Sequence, residues 1–149
     1  PLRPTSTGRL TLRSADPYDD PILDFGYLST EKDREDAVTA VRKARRIGES
    51  EVLDEYRAEE VRPGPDAQTD EEMLEFVRDT AVTGYHPTCT CKMGPRDDQS
   101  VVDPELRVYG VEGLRVIDAS VMPRVTSGNT NAPTWAIAEK GAELVADAR

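Results

Sequence analysis

Helical periodicity recurs in three separate stretches of this 149-residue chain, and it constrains the fold more than any other feature. Apolar residues recur at helical spacing over 37–47, with charged residues between them. The stretch 69–84 opens with Thr69 and Glu72, whose Thr-x-x-Glu spacing predicts a capping box. A final helix is predicted over 133–148, because proline suits the first turn of a helix.

The segments between these helices have shorter patterns. Strands are expected at 9–13, 22–25, 101–103, 106–109 and 114–117, the first because polar and apolar residues alternate as in a half-buried strand. The sequence of residues 52–60 predicts a further short helix. The combination of helices with short strands predicts an α+β fold, in which a small antiparallel sheet has flanking helices.

Charge and cysteine content restrict the possible partners and the compartment. The net charge of -10 argues against binding nucleic acid or an anionic membrane surface, since both require clustered Lys and Arg. No apolar run approaches the roughly 18 to 20 residues of a membrane-spanning helix. A disulfide between Cys89 and Cys91 would close a very small, strained loop. Free thiols and a reducing, cytoplasmic setting are therefore expected.

His86 is the only histidine of the chain and the first candidate for chemistry. It precedes Pro87, which favours an extended loop, and neutral imidazole is the commonest proton acceptor near neutral pH. The alternative is a structural or surface histidine. Cys89 and Cys91 lie close in sequence, but a structural zinc site needs four ligands, so no metal site is predicted. Nothing marks either cysteine as a nucleophile.

Two later blocks carry weaker signals. The block 128–134 opens the last helix, where backbone amides and the helix dipole suit an electron-rich group, although a simple helix cap explains it equally. The block 114–123 reads as a buried strand that ends in Asp118-Ala119-Ser120. A carboxylate at a strand tip often faces a ligand.

Together, the three blocks resemble the C-terminal region of the glucose–methanol–choline family of flavin-dependent oxidoreductases, and within it the choline dehydrogenase-like members. The blocks are His86-Pro87-Thr88-Cys89-Thr90-Cys91-Lys92-Met93-Gly94, Leu114-Arg115-Val116-Ile117-Asp118-Ala119-Ser120-Val121-Met122-Pro123 and Gly128-Asn129-Thr130-Asn131-Ala132-Pro133-Thr134. The resemblance covers about residues 4 to 147. Cys89 stands where the family usually has Gly or another small residue, and little effect is expected from it.

The resemblance implies a division of the chain into two parts. Residues 1–84 would form a substrate-binding sheet with its helices. Residues 85–149 would form the catalytic histidine loop and return to the FAD-binding domain, which the last strand and helix complete. The Gly-x-Gly-x-x-Gly fingerprint of that domain is absent from this sequence. An N-terminal FAD-binding half is therefore expected, in the same parent chain or as a separate subunit, and the isolated chain is expected to be inactive.

The resemblance also implies roles for individual residues in the oxidation of a small-molecule alcohol. His86 would take the hydroxyl proton, Asn129 would hydrogen-bond the same oxygen, and the hydride would pass to flavin N5 of FAD. The implied cofactor-binding residues are Asp118, Ala119, Asn131, Ala132, Pro133 and Thr134. The amides of Asn131, Ala132 and Thr134 would stabilise the reduced flavin, while Asp118 and Ala119 would meet its ribityl or diphosphate portion. A noncatalytic acidic interaction domain that retains the fold is the alternative.

Overall fold

The computed structural model describes residues 2–97 and 99–148, and it divides into two compact units. The first comprises residues 3–83, and the second begins at residue 84. The sequence predicted a boundary after residue 84, and in the structure the boundary falls after residue 83. The predicted α+β class is confirmed, since helices and a two-stranded antiparallel sheet are present.

The sheet of the first unit is a short hairpin. Strand β1 (Arg9–Thr11) pairs antiparallel with β2 (Ile22–Asp24), with Leu10 opposite Leu23. Both strands are exposed along their length, so the expectation of a half-buried strand is wrong for this chain. A half-buried strand needs a layer packed on one face, and a two-stranded hairpin does not supply one by itself.

Two helices form the packed part of the first unit. Helix α1 (Glu31–Gly48) is capped by Thr30, whose side chain accepts a hydrogen bond from the amide of Asp33. Helix α2 (Asp70–Thr80) opens with the predicted capping box of Thr69 and Glu72, in which both reciprocal hydrogen bonds are present. The two helices pack against each other. Their buried apolar residues are Ala37, Val38 and Met73.

Two helix predictions in the first unit need correction. Helix α2 ends at Thr80 and not at residue 84, since the β-branched residues at 80, 82 and 83 have low helix propensity. The predicted helix over 52–60 is reduced to one 3₁₀ turn, Glu51–Leu53, followed by a turn. Val52 and Tyr56 are mostly exposed, so this segment buries too little apolar surface to stabilise a short helix.

The core of the second unit is formed by Val102, Leu106 and Val121. The strands predicted at 101–103, 106–109 and 114–117 appear only as isolated bridges, which join Val102 to Met93 and Val108, and Arg107 to Arg115. The chain cannot stay extended here, because positive φ angles at Leu106, Gly110 and Gly113 turn it after a few residues.

Helix α3 (Asn131–Ala146) completes the second unit and begins two residues before the predicted start. A Cβ added to Gly141 would lie 2.3 Å from Ile117 Cγ2, so the absence of a side chain lets the helix approach residue 117 closely. Trp135 on this helix is 72% exposed. No helix in the described part of the chain is both long and apolar enough to cross a membrane.

Candidate active site

The imidazole of His86 lies between the side chains of Asn129 and Thr130. Its Nε2 atom is 3.2 Å from Asn129 Oδ1, although the two residues are 43 positions apart. Its Nδ1 atom is 3.0 Å from Thr130 Oγ1. His86 and Asn129 are exposed, whereas Thr130 is only 8% exposed. The folded chain therefore brings the histidine loop and the start of α3 together.

Backbone hydrogen bonds anchor the histidine loop to the segment that precedes α3. The amide of Cys91 donates to the carbonyl of Ser120 at 3.0 Å, and that of Met93 donates to the carbonyl of Val121 at 2.9 Å. Val121 is fully buried in the core of the unit. The loop is therefore held at its C-terminal end by a packed element, and the three sequence blocks form one continuous region.

The backbone of the histidine loop is strained on both sides of His86. Tyr85 has a φ of 58° and Cys89 has a φ of 73°, which is the left-handed region that favours glycine. For a residue with a Cβ, this region costs on the order of 1–2 kcal/mol. The angle at Cys89 explains why a glycine suits this position in the family that the motif resembles. Strain of this kind is common beside reactive groups.

The N-terminus of α3 presents two backbone donors that no residue of the described part of the chain accepts from. Neither Asn131 nor Ala132 donates its amide to an acceptor among residues 2–97 and 99–148, and both residues are exposed. Pro133 has no N–H. The amide of Thr134 donates to the carbonyl of Thr130 at 3.0 Å, so it already has an acceptor, and its predicted role toward the flavin stays a prediction. Helix geometry explains this, since the hydrogen bonds of an α-helix begin at about its fourth residue.

The side chain of Asp118 stabilises the turn that follows it. Its Oδ1 atom accepts a hydrogen bond of 2.7 Å from the amide of Ser120, which caps the 3₁₀ turn Ala119–Val121. Asp118 is exposed and Ala119 is half-buried. The carboxylate thus fixes the turn through one oxygen, and its predicted contact with a cofactor stays a prediction.

Thr130 belongs to this site, although the sequence did not single it out. It occupies the N-cap position of α3, yet its side chain makes no capping hydrogen bond. The only signal in the sequence was its place next to Asn129 in the Gly-Asn-Thr-Asn block. The position of its hydroxyl could not be read from spacing, because a threonine at a helix start is normally explained by capping.

The arrangement has the parts of a general-base site. A neutral imidazole accepts a proton at the ring nitrogen that carries none, and an adjacent carboxamide can hydrogen-bond the oxygen that gives up that proton. The exposure of His86 and Asn129 leaves both accessible to a substrate. The exposed amides of α3 add a region suited to partial negative charge.

Comparison with known proteins identifies the family. The family model described as GMC oxidoreductase matches residues 4–138. The chain therefore belongs to the GMC oxidoreductase family, as its motifs predicted.

Two curated relatives are choline dehydrogenases by name. The chain is 53% identical over 146 residues to the human protein named mitochondrial choline dehydrogenase, covering 97% of this chain and 25% of the relative. It is 48% identical over 147 residues to the oxygen-dependent choline dehydrogenase of Staphylococcus saprophyticus, covering 97% and 26%. The chain thus spans about a quarter of the length of these relatives.

Solved structures of other enzymes share the fold. Pyridoxine 4-oxidase from Mesorbium loti matches with a TM-score of 0.88 and 37% identity, over 95% of this chain and 28% of the other. An FAD-dependent oxidoreductase from Chaetomium thermophilum matches with a TM-score of 0.91 and 34% identity, over 98% and 25%. The fold of this chain is therefore that of a segment of GMC enzymes.

Proposed function

We propose that this chain is the C-terminal part of an FAD-dependent enzyme that oxidises the CH–OH group of a small alcohol, and that choline is its substrate. The observation that carries the proposal is the 3.2 Å contact between His86 Nε2 and Asn129 Oδ1. Choline as the substrate is supported by the two relatives named choline dehydrogenase, at 53% and 48% identity. The alternative of a noncatalytic interaction domain has no observation in its favour.

His86 supplies the base. It takes the hydroxyl proton of the alcohol, because an alkoxide is a much stronger hydride donor than the alcohol itself. A positioned base contributes on the order of 10²- to 10⁴-fold in rate. Asn129 hydrogen-bonds the same substrate oxygen, so the developing negative charge remains next to a fixed dipole.

FAD, when bound, supplies the hydride acceptor. The fit is supported by the exposed amides of Asn131 and Ala132, which have no acceptor among the described residues. They lie at the N-terminus of a 16-residue helix, which carries roughly half a positive charge. Electron-rich ring atoms suit that position. Asp118 and Ala119 are proposed to meet the ribityl or diphosphate portion.

The remaining parts of the cofactor site are proposed to lie in an N-terminal FAD-binding half. The relatives are about four times as long as this chain, which leaves room for such a half. On this basis, residues 1–84 serve the substrate side and residues 85–149 the flavin side. The isolated chain is expected to bind FAD weakly and to show no turnover.

A reducing, cytoplasmic compartment is also proposed. Cys89 and Cys91 are free thiols in the structure. Free, partly exposed cysteines persist in reducing compartments, where disulfides are rare.

The test is flavin reduction in the full-length parent protein, or in this chain co-expressed with its N-terminal half. The purified protein should be yellow and should lose its visible flavin absorbance when mixed anaerobically with choline. An aryl alcohol, a sugar and pyridoxine form the comparison panel. If another alcohol reduces the flavin faster than choline does, that alcohol would be assigned as the substrate in place of choline. A yellow protein that none of these alcohols bleaches would contradict the proposed activity.

A further inference from the structure

We propose that Thr130 is a positioning residue for His86, in that its hydroxyl accepts the Nδ1 proton and leaves the Nε2 lone pair free for the alcohol. This inference rests on the proposed function. It concerns which ring nitrogen carries the proton, which determines whether Nε2 can act as the base.

The first support is that the hydroxyl of Thr130 is not used for capping. Threonine at an N-cap normally accepts a hydrogen bond from a backbone amide of the first turn. Here the N-cap Thr130 makes no such bond, and its Oγ1 atom instead lies 3.0 Å from His86 Nδ1. The helix start explains the position of the backbone, and the contact with His86 explains the direction of the side chain.

The second support is that the hydroxyl is held in place. Thr130 is only 8% exposed, and a buried hydroxyl needs a hydrogen-bond partner. Its carbonyl accepts bonds from both the amide and the hydroxyl of Thr134, at 3.0 and 2.6 Å. The side chain of threonine is also stiff at χ1 because it is β-branched. A fixed hydroxyl can fix the ring that it contacts.

The protonation states follow from the chemistry. A neutral imidazole carries one proton, so a base that acts through Nε2 carries it on Nδ1. When the alcohol O–H bond breaks and the Nε2–H bond forms, the alcohol becomes an alkoxide and the ring becomes an imidazolium with two N–H donors. Thr130 Oγ1 and Asn129 Oδ1 then accept one hydrogen bond each, at the distances of 3.0 and 3.2 Å in the structure.

Asn129 fits both states of the ring. A half-turn of its amide exchanges the acceptor oxygen for the donor nitrogen. The carboxamide oxygen that faces Nε2 at 3.2 Å can only accept a hydrogen bond, so this contact suits the imidazolium. With the neutral ring the amide presents its nitrogen to Nε2 until the alcohol takes that place. In the proposed tautomer the Thr130 hydroxyl accepts from Nδ1, whereas in the other neutral tautomer it would donate to Nδ1, so its role differs between the two.

The experiment uses the full-length holoenzyme with Thr130→Val, which keeps the shape of the side chain without the hydroxyl, and Thr130→Ser, which keeps the hydroxyl. Anaerobic flavin reduction by choline should slow on the order of 10- to 100-fold in the valine variant, less than the ~10⁴-fold cost of losing a charged tautomer-setting partner. The serine variant should reduce within about threefold of the parent rate. Thr126→Val, which removes a hydroxyl from the segment before α3, is the control and should leave the rate unchanged.

A second measurement reads the tautomer without turnover. Nitrogen-15 spectra of histidine-labelled holoenzyme, with His86 assigned by the signals lost in His86→Gln, should show protonated Nδ1 in the parent and in Thr130→Ser. Thr130→Val should move the signals toward protonated Nε2. Protonated Nε2 in the parent, or equal rate losses in the valine and serine variants, would overturn the assignment. A parent with protonated Nδ1 that no alcohol reduces would instead contradict the proposed function.

Discussion

Asp33 is the buried acid of the first unit, and it holds the N-terminal segment to α1. It is 6% exposed, and its carboxylate accepts hydrogen bonds from the amides of Thr5 and Ser6 at 2.8 and 2.7 Å. Burial alone would raise the pKa of Asp33, but the hydrogen bonds from Ser6 and Thr5 outweigh it and hold the pKa far below its usual range. The ionised form is therefore the form that stabilises the fold.

Asp33→Asn is expected to reduce the free energy of unfolding at pH 7 by about 2 kcal/mol, since an amide replaces a charged acceptor. Because the folded-state pKa is lowered, this contribution is complete above the unfolded-state value of about 3.9 and is lost as pH falls below it. Chemical denaturation at pH 7 and pH 3 should show the difference between parent and variant shrinking by on the order of 1 kcal/mol.

The control for this prediction is Asp36→Asn on the same helix. Asp36 is 41% exposed and pairs with Lys32, so its loss should cost less than about 1 kcal/mol. A difference between parent and Asp33→Asn that is the same at both pH values would contradict the role of the ionised carboxylate.

At the scale of residues, the sequence predicted only those functional residues that belong to a motif. The roles of His86 and Asn129 came from the resemblance to a family, and their proximity could not be derived from a separation of 43 residues. Asp33 and Thr130 were missed for the same reason. Each acts through a partner far along the chain, and a single acid or hydroxyl in a helical pattern carries no signal of that partner.

At the scale of elements, the approach of α3 to residue 117 sets where its N-terminus lies. Gly141 is buried, and its missing side chain lets the helix approach Ile117. The turn Ala119–Val121, which carries the anchors of the histidine loop, follows Ile117 directly. A change in the distance between Gly141 and Ile117 would therefore displace the residues of the candidate active site.

Gly141→Ala is expected to lower the free energy of unfolding by about 1–3 kcal/mol because the new methyl group overlaps Ile117. This reverses the gain of roughly 1 kcal/mol that alanine normally brings to a helix. Gly48→Ala at the end of α1 is the matched control, since a Cβ there meets nothing within 4 Å. Thermal unfolding of the two variants should shift in opposite directions. A stabilised Gly141→Ala would show that the contact is not tight.

Elements that are determined by residues close together in sequence were predicted correctly. The capping box of Thr69 and Glu72 and the long periodicity of α1 are determined within a few residues, and both helices are present. The short strands of the second unit were not, because a ladder requires neighbouring strands and the turns at Leu106, Gly110 and Gly113 interrupt it. The alternation of polar and apolar residues alone does not show whether a neighbouring strand is present or where a turn interrupts the strand.

At the scale of the whole molecule, several large apolar side chains are exposed in this chain. They include Leu10, Leu23 and Phe25 on or beside the hairpin and Trp135 on α3. The relatives are about four times as long. Large exposed apolar side chains in each unit therefore support the proposal that an N-terminal half covers them.

The central claim is that His86 is the base of an alcohol-oxidising flavin site, and anaerobic stopped-flow reduction of the full-length holoenzyme tests it most directly. His86→Ala should remain yellow with an unchanged FAD content, while its rate of reduction by choline falls by about 10²- to 10⁴-fold. Glu139→Gln, an exposed change on α3, should reduce at the parent rate. A His86→Ala enzyme that binds FAD and is reduced as fast as the parent would contradict the account.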